Sequence, residues 1–109
     1  MEKILIVDDD DAMRGMLKMR FSDTYETIDT GNPVLALELA LKHRPRAILL
    51  DLMMPNCSGF ELCQSFHNLS YTGRIPIFIV TGESSQKYRD YMTTLGAAAF
   101  FEKPIDLLS

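Results

Sequence analysis

The chain has 109 residues, 47% of them hydrophobic, enough for one domain with a single buried core. Lysine and arginine total 11 against 15 aspartates and glutamates, and the resulting net charge of -4 excludes the basic face with which a protein displaces counterions from nucleic acid. No apolar run reaches the roughly 18 residues that cross a bilayer and no cleavable basic leader is visible, so a soluble, cytoplasmic protein without membrane contact is expected.

Short β-rich apolar runs alternate with helical patterns, the arrangement of βαβ units that build a parallel sheet. The first strand is predicted over Lys3 to Val7 and is followed by four acids, Asp8 to Asp11. Met13, Met16, Leu17 and Phe21 then recur at helical spacing, which predicts an amphipathic helix packed on the sheet by that stripe. A second strand is expected over Tyr25 to Asp29, and Asn32 with Pro33 marks the start of the second helix, an N-cap followed by proline at the first helical position. The third strand, Arg46 to Leu50, ends in Asp51, and Ser58 with Glu61 reads as the capping box of the third helix. A fourth strand, Ile77 to Val80, ends in Thr81. Tyr88, Tyr91, Met92 and Leu95 form the stripe of a fourth helix that Gly96 stops. The fifth strand, Ala99 to Glu102, runs into Lys103 and Pro104.

The first, third and fourth strands are nearly continuous aliphatic runs, as expected of central strands buried on both faces. Only Pro104 to Ser109 follow the fifth strand, too few for a full helix over that sheet face; either the final helix is short or the chain is a fragment of a longer protein, the expectation favoured here. Cys57 and Cys63, with the isolated His43 and His67, make no metal-ligand pattern, and both cysteines are expected to be reduced structural thiols.

In an open parallel α/β sheet the loops at the carboxyl ends of the strands gather at one edge and form the site. Those positions hold Asp8 to Asp11, Asp51, Thr81 and Lys103. Carboxylates converging from two strands repel one another unless a cation sits among them, and clustered oxygen donors suit Mg²⁺ or Mn²⁺ rather than zinc. Asp51 comes abruptly after Ala47-Ile48-Leu49-Leu50, at the end of a buried strand, a placement that suits a nucleophile able to attack phosphorus and give an aspartyl phosphate. The Thr81 hydroxyl and the Lys103 ammonium are the kinds of donor that hold phosphoryl oxygens. Each residue also has a plainer reading by itself: a solvated acidic helix start for Asp8 to Asp11, a turn acid for Asp51, a structural threonine and a surface lysine. The joint pattern points to a site.

Asp8-Asp9 after a hydrophobic strand, Asp51-Leu52-Met53-Met54-Pro55-Asn56-Cys57-Ser58-Gly59, Thr81-Gly82 and Phe100-Phe101-Glu102-Lys103-Pro104 resemble, in order and spacing, the receiver domain of two-component response regulators. The resemblance covers nearly the whole chain, and D-x-x-M-P-x-x-x-G is its most discriminating segment. It implies one receiver domain over residues 1–109, with a flavodoxin-like, three-layer α/β sandwich around a five-stranded parallel sheet of order 2-1-3-4-5.

By position, the resemblance implies that Asp51 is the phosphoacceptor. Asp9 and Asp51 are implied as direct ligands of Mg²⁺ (or Mn²⁺), Asp8 as a ligand through water, and the Met53 carbonyl as the remaining protein ligand. Thr81 and Lys103 match the contacts to phosphoryl oxygens, and the Lys103-Pro104 bond sits where the family commonly has a cis peptide. Thr81 and Phe100 match the switch pair, although phenylalanine lacks the hydroxyl of the commoner tyrosine. Met53 and Glu83 match positions that in the family border the path of attacking water, so the resemblance implies that they influence dephosphorylation.

The implied donor is a sensor histidine kinase or phosphotransfer protein. The implied responding surface, formed by the fourth helix, the fifth strand and the helix after it, would engage an output domain or a second copy by population shift. The chain is then a signalling domain rather than a turnover enzyme. Two other readings are a phosphorylation-independent interaction module and an aspartate-nucleophile phosphohydrolase, for which Asp8 and Asp10 have the D-x-D spacing.

Overall fold

Lys3–Val7 form strand β1 because the segment is aliphatic and β-branched, and from Ile4 onwards it is buried. The computed structural model describes residues 2–51, 53–54, 57–68, 74–81, 90, 93–94 and 97–102. After β1 come α1 (Asp11–Phe21), β2 (Glu26–Thr30), α2 (Pro33–His43), β3 (Ala47–Leu50), a two-stranded pair β4 (Met53–Met54) and β5 (Cys57–Ser58), α3 (Gly59–Asn68), β6 (Ile77–Thr81) and β7 (Ala97–Glu102). The main sheet has five strands in the order β2-β1-β3-β6-β7, every pairing parallel. Counted among its own strands this is 2-1-3-4-5, the flavodoxin-like order, with the three aliphatic strands central as expected.

Strand ends differ slightly from the expectation: β2 runs from Glu26 to Thr30 and β7 begins at Ala97. The antiparallel β4–β5 pair, with Met53 opposite Ser58, has no counterpart in the sequence pattern, because two residues a side are too few for alternation to register.

Period-two alternation assigns the two faces of the sheet. Leu5 and Val7 of β1, Ile48 and Leu50 of β3, and Ile77 and Ile79 of β6 pack with Ala36 and Ala40 of α2 and with Leu62, Cys63 and Phe66 of α3. On the opposite face Ile4 and Ile6 pack with Met13 and Leu17 of α1, and the partly buried Phe21, Tyr25, Ala47 and Leu49 pack against them. The result is three layers, each buried aliphatic side chain contributing roughly 1.5–3 kcal/mol. Beside Phe21 and Tyr25 this second face carries a groove of about 390 Å³, lined also by Ile4, Ala47, Leu49 and Phe78.

Met16 corrects the expected stripe, since it is 42% exposed. The line from Met13 through Leu17 to Phe21 faces the sheet, and at about 100° per residue Met16 falls on the far side of Met13 from Leu17.

Helix ends follow their local chemistry. Asn32 caps α2, its side chain accepting from the Val34 N–H, with Pro33 at the first helical position. The helix closes at Arg44, which adopts φ 52°, the left-handed cap conformation. Ser58 directly precedes α3, which has Glu61 in its first turn. The expected stripe of Tyr88, Tyr91, Met92 and Leu95, the Gly96 stop, and Pro104 to Ser109 lie outside the described residues. Asp90, Thr93 and Thr94 have helical backbone, and the Thr94 hydroxyl donates to the Asp90 carbonyl at 3.0 Å.

Among the described residues no helix is long and apolar enough to cross a membrane. Cys63 is a buried thiol whose pKa is pushed up to about 11 by burial, which makes it a neutral packing group rather than a nucleophile. The side chain of Cys57 lies outside the described part.

Candidate functional site

The parallel register builds the site. Val7 of β1 is paired with Leu50 of β3, so the next residue of each strand, Asp8 and Asp51, leaves the sheet at the same level. The Asp51 N–H donates to the Val7 carbonyl at 2.9 Å and the Asp8 N–H to the Thr30 carbonyl at 3.2 Å, which continues the ladder one step past the strand ends. Both side chains are taken out of water, Asp8 at 2% exposure and Asp51 at 4%, while Asp9 is exposed.

Carboxylate oxygens of Asp8, Asp9 and Asp51 all lie within 4.8 Å of one another. Like charges so close, two of them out of water, repel one another, and a cation among them relieves that repulsion. The donor set is entirely hard oxygen, which fits Mg²⁺, Mn²⁺ or Ca²⁺ and not a soft, thiolate-seeking ion. The cluster can therefore hold a divalent metal ion.

The next two acids do different work. Asp10 is the N-cap of α1, its carboxylate accepting from the Ala12 N–H at 2.9 Å and the Met13 N–H at 3.3 Å. Asp11 stands in the first turn, where the helix dipole favours an acid, and pairs with Arg14. The solvated-helix-start reading thus describes Asp10 and Asp11, and the convergent-site reading describes Asp8 and Asp9. The Asp10 N–H also donates to Asp8 Oδ1 at 3.0 Å, tying the cap to the cluster.

Sequence reasoning missed Arg14. Its Nη1 donates to the main-chain carbonyl of Asp8 at 2.7 Å and its Nε to Asp29 Oδ2 at 3.0 Å, and Nη2 reaches Asp11. Burial works against its charge, but hydrogen bonds to Asp11 and Asp29 outweigh that and hold its pKa above the ordinary arginine value. The spacing of Asp11 and Arg14 was a visible signal for a helical pair; the link to Asp29 needs the β1–β2 register, which spacing along the chain does not reveal.

Of the remaining site residues expected from sequence, Thr81 ends β6 opposite Glu102, Phe100 lies in β7 opposite Ile79, and Met53 lies in β4 opposite Ser58. The side chains of these three are outside the described part. Lys103, Glu83 and the Lys103-Pro104 bond lie outside the described residues.

An open parallel sheet with acids at the carboxyl ends of two adjacent central strands defines a flavodoxin-like site at the edge of the sheet. The sequence model of the response regulator receiver domain matches residues 4–108, and the chain belongs to that family. It is 34% identical over 107 residues to sporulation initiation phosphotransferase F of Bacillus subtilis, an alignment covering 97% of this chain and 85% of the relative. It is 33% identical over 105 residues to the response regulator PleD of Caulobacter vibrioides, covering 95% of this chain and 23% of PleD. In structure it matches chemotaxis protein CheY4 of Vibrio cholerae with a TM-score of 0.93 at 30% identity, covering 99% of this chain and 91% of the other. The chain spans only 8% to 46% of the length of several other curated relatives. Receiver domains are phosphorylatable signalling modules that carry a divalent metal at the acidic pocket and interact with histidine kinases or phosphotransfer proteins.

Proposed function

We propose that residues 1–109 form one phosphoacceptor receiver domain in which Asp51 takes a phosphoryl group from the phosphohistidine of a sensor histidine kinase or phosphotransfer protein. The observation that carries this reading is the convergence of Asp8, Asp9 and Asp51, two of them buried, in a chain of the receiver family. An Asp51 carboxylate oxygen forms the new O–P bond as the N–P bond of the donor breaks, and the electron pair leaves with the imidazole nitrogen. Asp9 and Asp51 would ligate Mg²⁺, or Mn²⁺, directly, with Asp8 acting through water and the Met53 carbonyl completing the protein's share. When bound, the ion supplies positive charge to the oxygens of the group in transfer.

The Thr81 hydroxyl and the Lys103 ammonium donate to phosphoryl oxygens. Thr81 moves towards them and Phe100 turns into the space it leaves, without the hydrogen bond that a tyrosine hydroxyl makes. The surface of the fourth helix, β7 and the helix that follows then changes its preference for an output domain or a second copy, in the cytoplasm. Met53 and Glu83 flank the approach of water and set the lifetime of the aspartyl phosphate. Engagement of Asp10 as the α1 cap counts against a D-x-D phosphohydrolase built on Asp8 and Asp10.

The test is intact-protein mass after incubation with a small phosphodonor such as acetyl phosphate, with Mg²⁺ or with chelator, for the native chain and Asp51→Asn. The expected result is a Mg²⁺-dependent phosphoryl adduct that Asp51→Asn lacks. A folded native chain that takes no adduct would instead favour the phosphorylation-independent module.

A further inference from the structure

The phosphoacceptor chemistry leaves Arg14 unused, yet this side chain is 18% exposed and divides its nitrogens among three separate acceptors. One acceptor differs in kind from the others. The Asp8 carbonyl that Nη1 reaches at 2.7 Å belongs to the peptide joining Asp8 to Asp9, the two consecutive members of the acid cluster. Asp29, the penultimate residue of β2, anchors the guanidinium from the far side and is itself held by Lys18 Nζ at 3.1 Å.

Gly31 leaves the room this requires. A Cβ at that position would stand 2.5 Å from Arg14 Nη1 and 3.5 Å from the Asp8 carbonyl oxygen, so any side chain there displaces the guanidinium from the carbonyl.

We propose that Arg14 is a positioning residue for the cation site, fixing the plane of the Asp8–Asp9 peptide, and with it the direction in which the exposed Asp9 carboxylate leaves the chain. The inference rests on the metal reading of Asp8, Asp9 and Asp51 given above. Positioning and simple electrostatics predict opposite signs. A guanidinium beside a cation site repels the incoming ion, so on charge alone its removal tightens binding. If the guanidinium orders the ligands, its removal loosens binding, as loss of an outer hydrogen bond to a metal site commonly does.

The experiment is Mn²⁺ titration followed through the electron paramagnetic resonance signal of the free ion, on the native chain and four variants, with metal-free thermal unfolding recorded for each. Arg14→Ala is expected to weaken Mn²⁺ binding about tenfold, and Gly31→Ala, which changes no charge, to weaken it in the same direction. Arg14→Lys keeps the charge but not the planar fork, and is also expected to bind more weakly. Lys18→Ala removes an equal charge from the same acid without touching the Asp8 carbonyl, and is expected to stay within about twofold of native. Binding by Arg14→Ala as tight as native or tighter, or undiminished binding by Gly31→Ala if Arg14→Ala does not fold, overturns the inference. A native chain that binds no Mn²⁺ overturns the metal reading and this inference with it.

Discussion

Asp8-Asp9 and Asp10-Asp11 are adjacent pairs of the same residue with opposite roles. The first pair prolongs a buried strand and meets Asp51 across the sheet edge, where the three charges oppose one another. The second pair begins a helix, where backbone N–H groups donate to the Asp10 carboxylate and the Arg14 guanidinium to that of Asp11. In the first pair an acid works against folding and favours a ligand; in the second it favours folding. One step along the chain, from the β ladder to the helix start, decides which.

The largest test of that contrast is Asp8→Asn. It keeps an oxygen for the Asp10 N–H while removing one of the opposed charges, so divalent-ion binding measured by titration should be lost while metal-free stability in urea stays equal to native or rises. Binding to the folded state should itself stabilise the native chain by about 2.7 kcal/mol at a free ion concentration one hundred times Kd, and the same addition should leave Asp8→Asn unmoved. Asp10→Ala should show the reverse pattern, a loss of about 1 kcal/mol in urea unfolding from the missing cap with ion affinity close to native. An Asp10→Ala chain that lost ion affinity instead would place Asp10 in the cluster and erase the contrast. The smallest effect concerns the core rather than the acids: Cys63, buried and neutral, should resist a thiol reagent at neutral pH and react only as the chain unfolds, as peptide mapping of the labelled protein would reveal.

Much of the fold was legible because buried parallel strands are written as aliphatic runs and helices as stripes. Lys3–Val7 could be read to the residue, and Asn32-Pro33 announced α2 through its own capping chemistry. The convergence of Asp8 with Asp51 was legible as well, since a parallel sheet gathers the carboxyl ends of its strands. What stayed hidden depended on register and azimuth. Met16 shares the spacing of a core residue but faces outward, the β4–β5 pair is too short to carry a pattern, and Arg14 shows its link to the Asp8 carbonyl only after β2 has brought Asp29 alongside. The division of the four acids was hidden for the same reason: spacing could not tell where the strand ends and the cap begins.

The pairing of β1 with β3 also has a kinetic meaning. Asp8 and Asp51 are far apart in sequence and come together only after that long loop has closed. A divalent ion therefore finds no assembled site in the unfolded chain, and it reads closure of these two strands rather than collapse in general. If their ladder is the last part to zip, the ion slows unfolding and leaves the rate of refolding untouched; if their ladder belongs to the nucleus, the ion speeds refolding instead. The acid edge is thus a built-in probe of when, along the folding path, the centre of the sheet is completed.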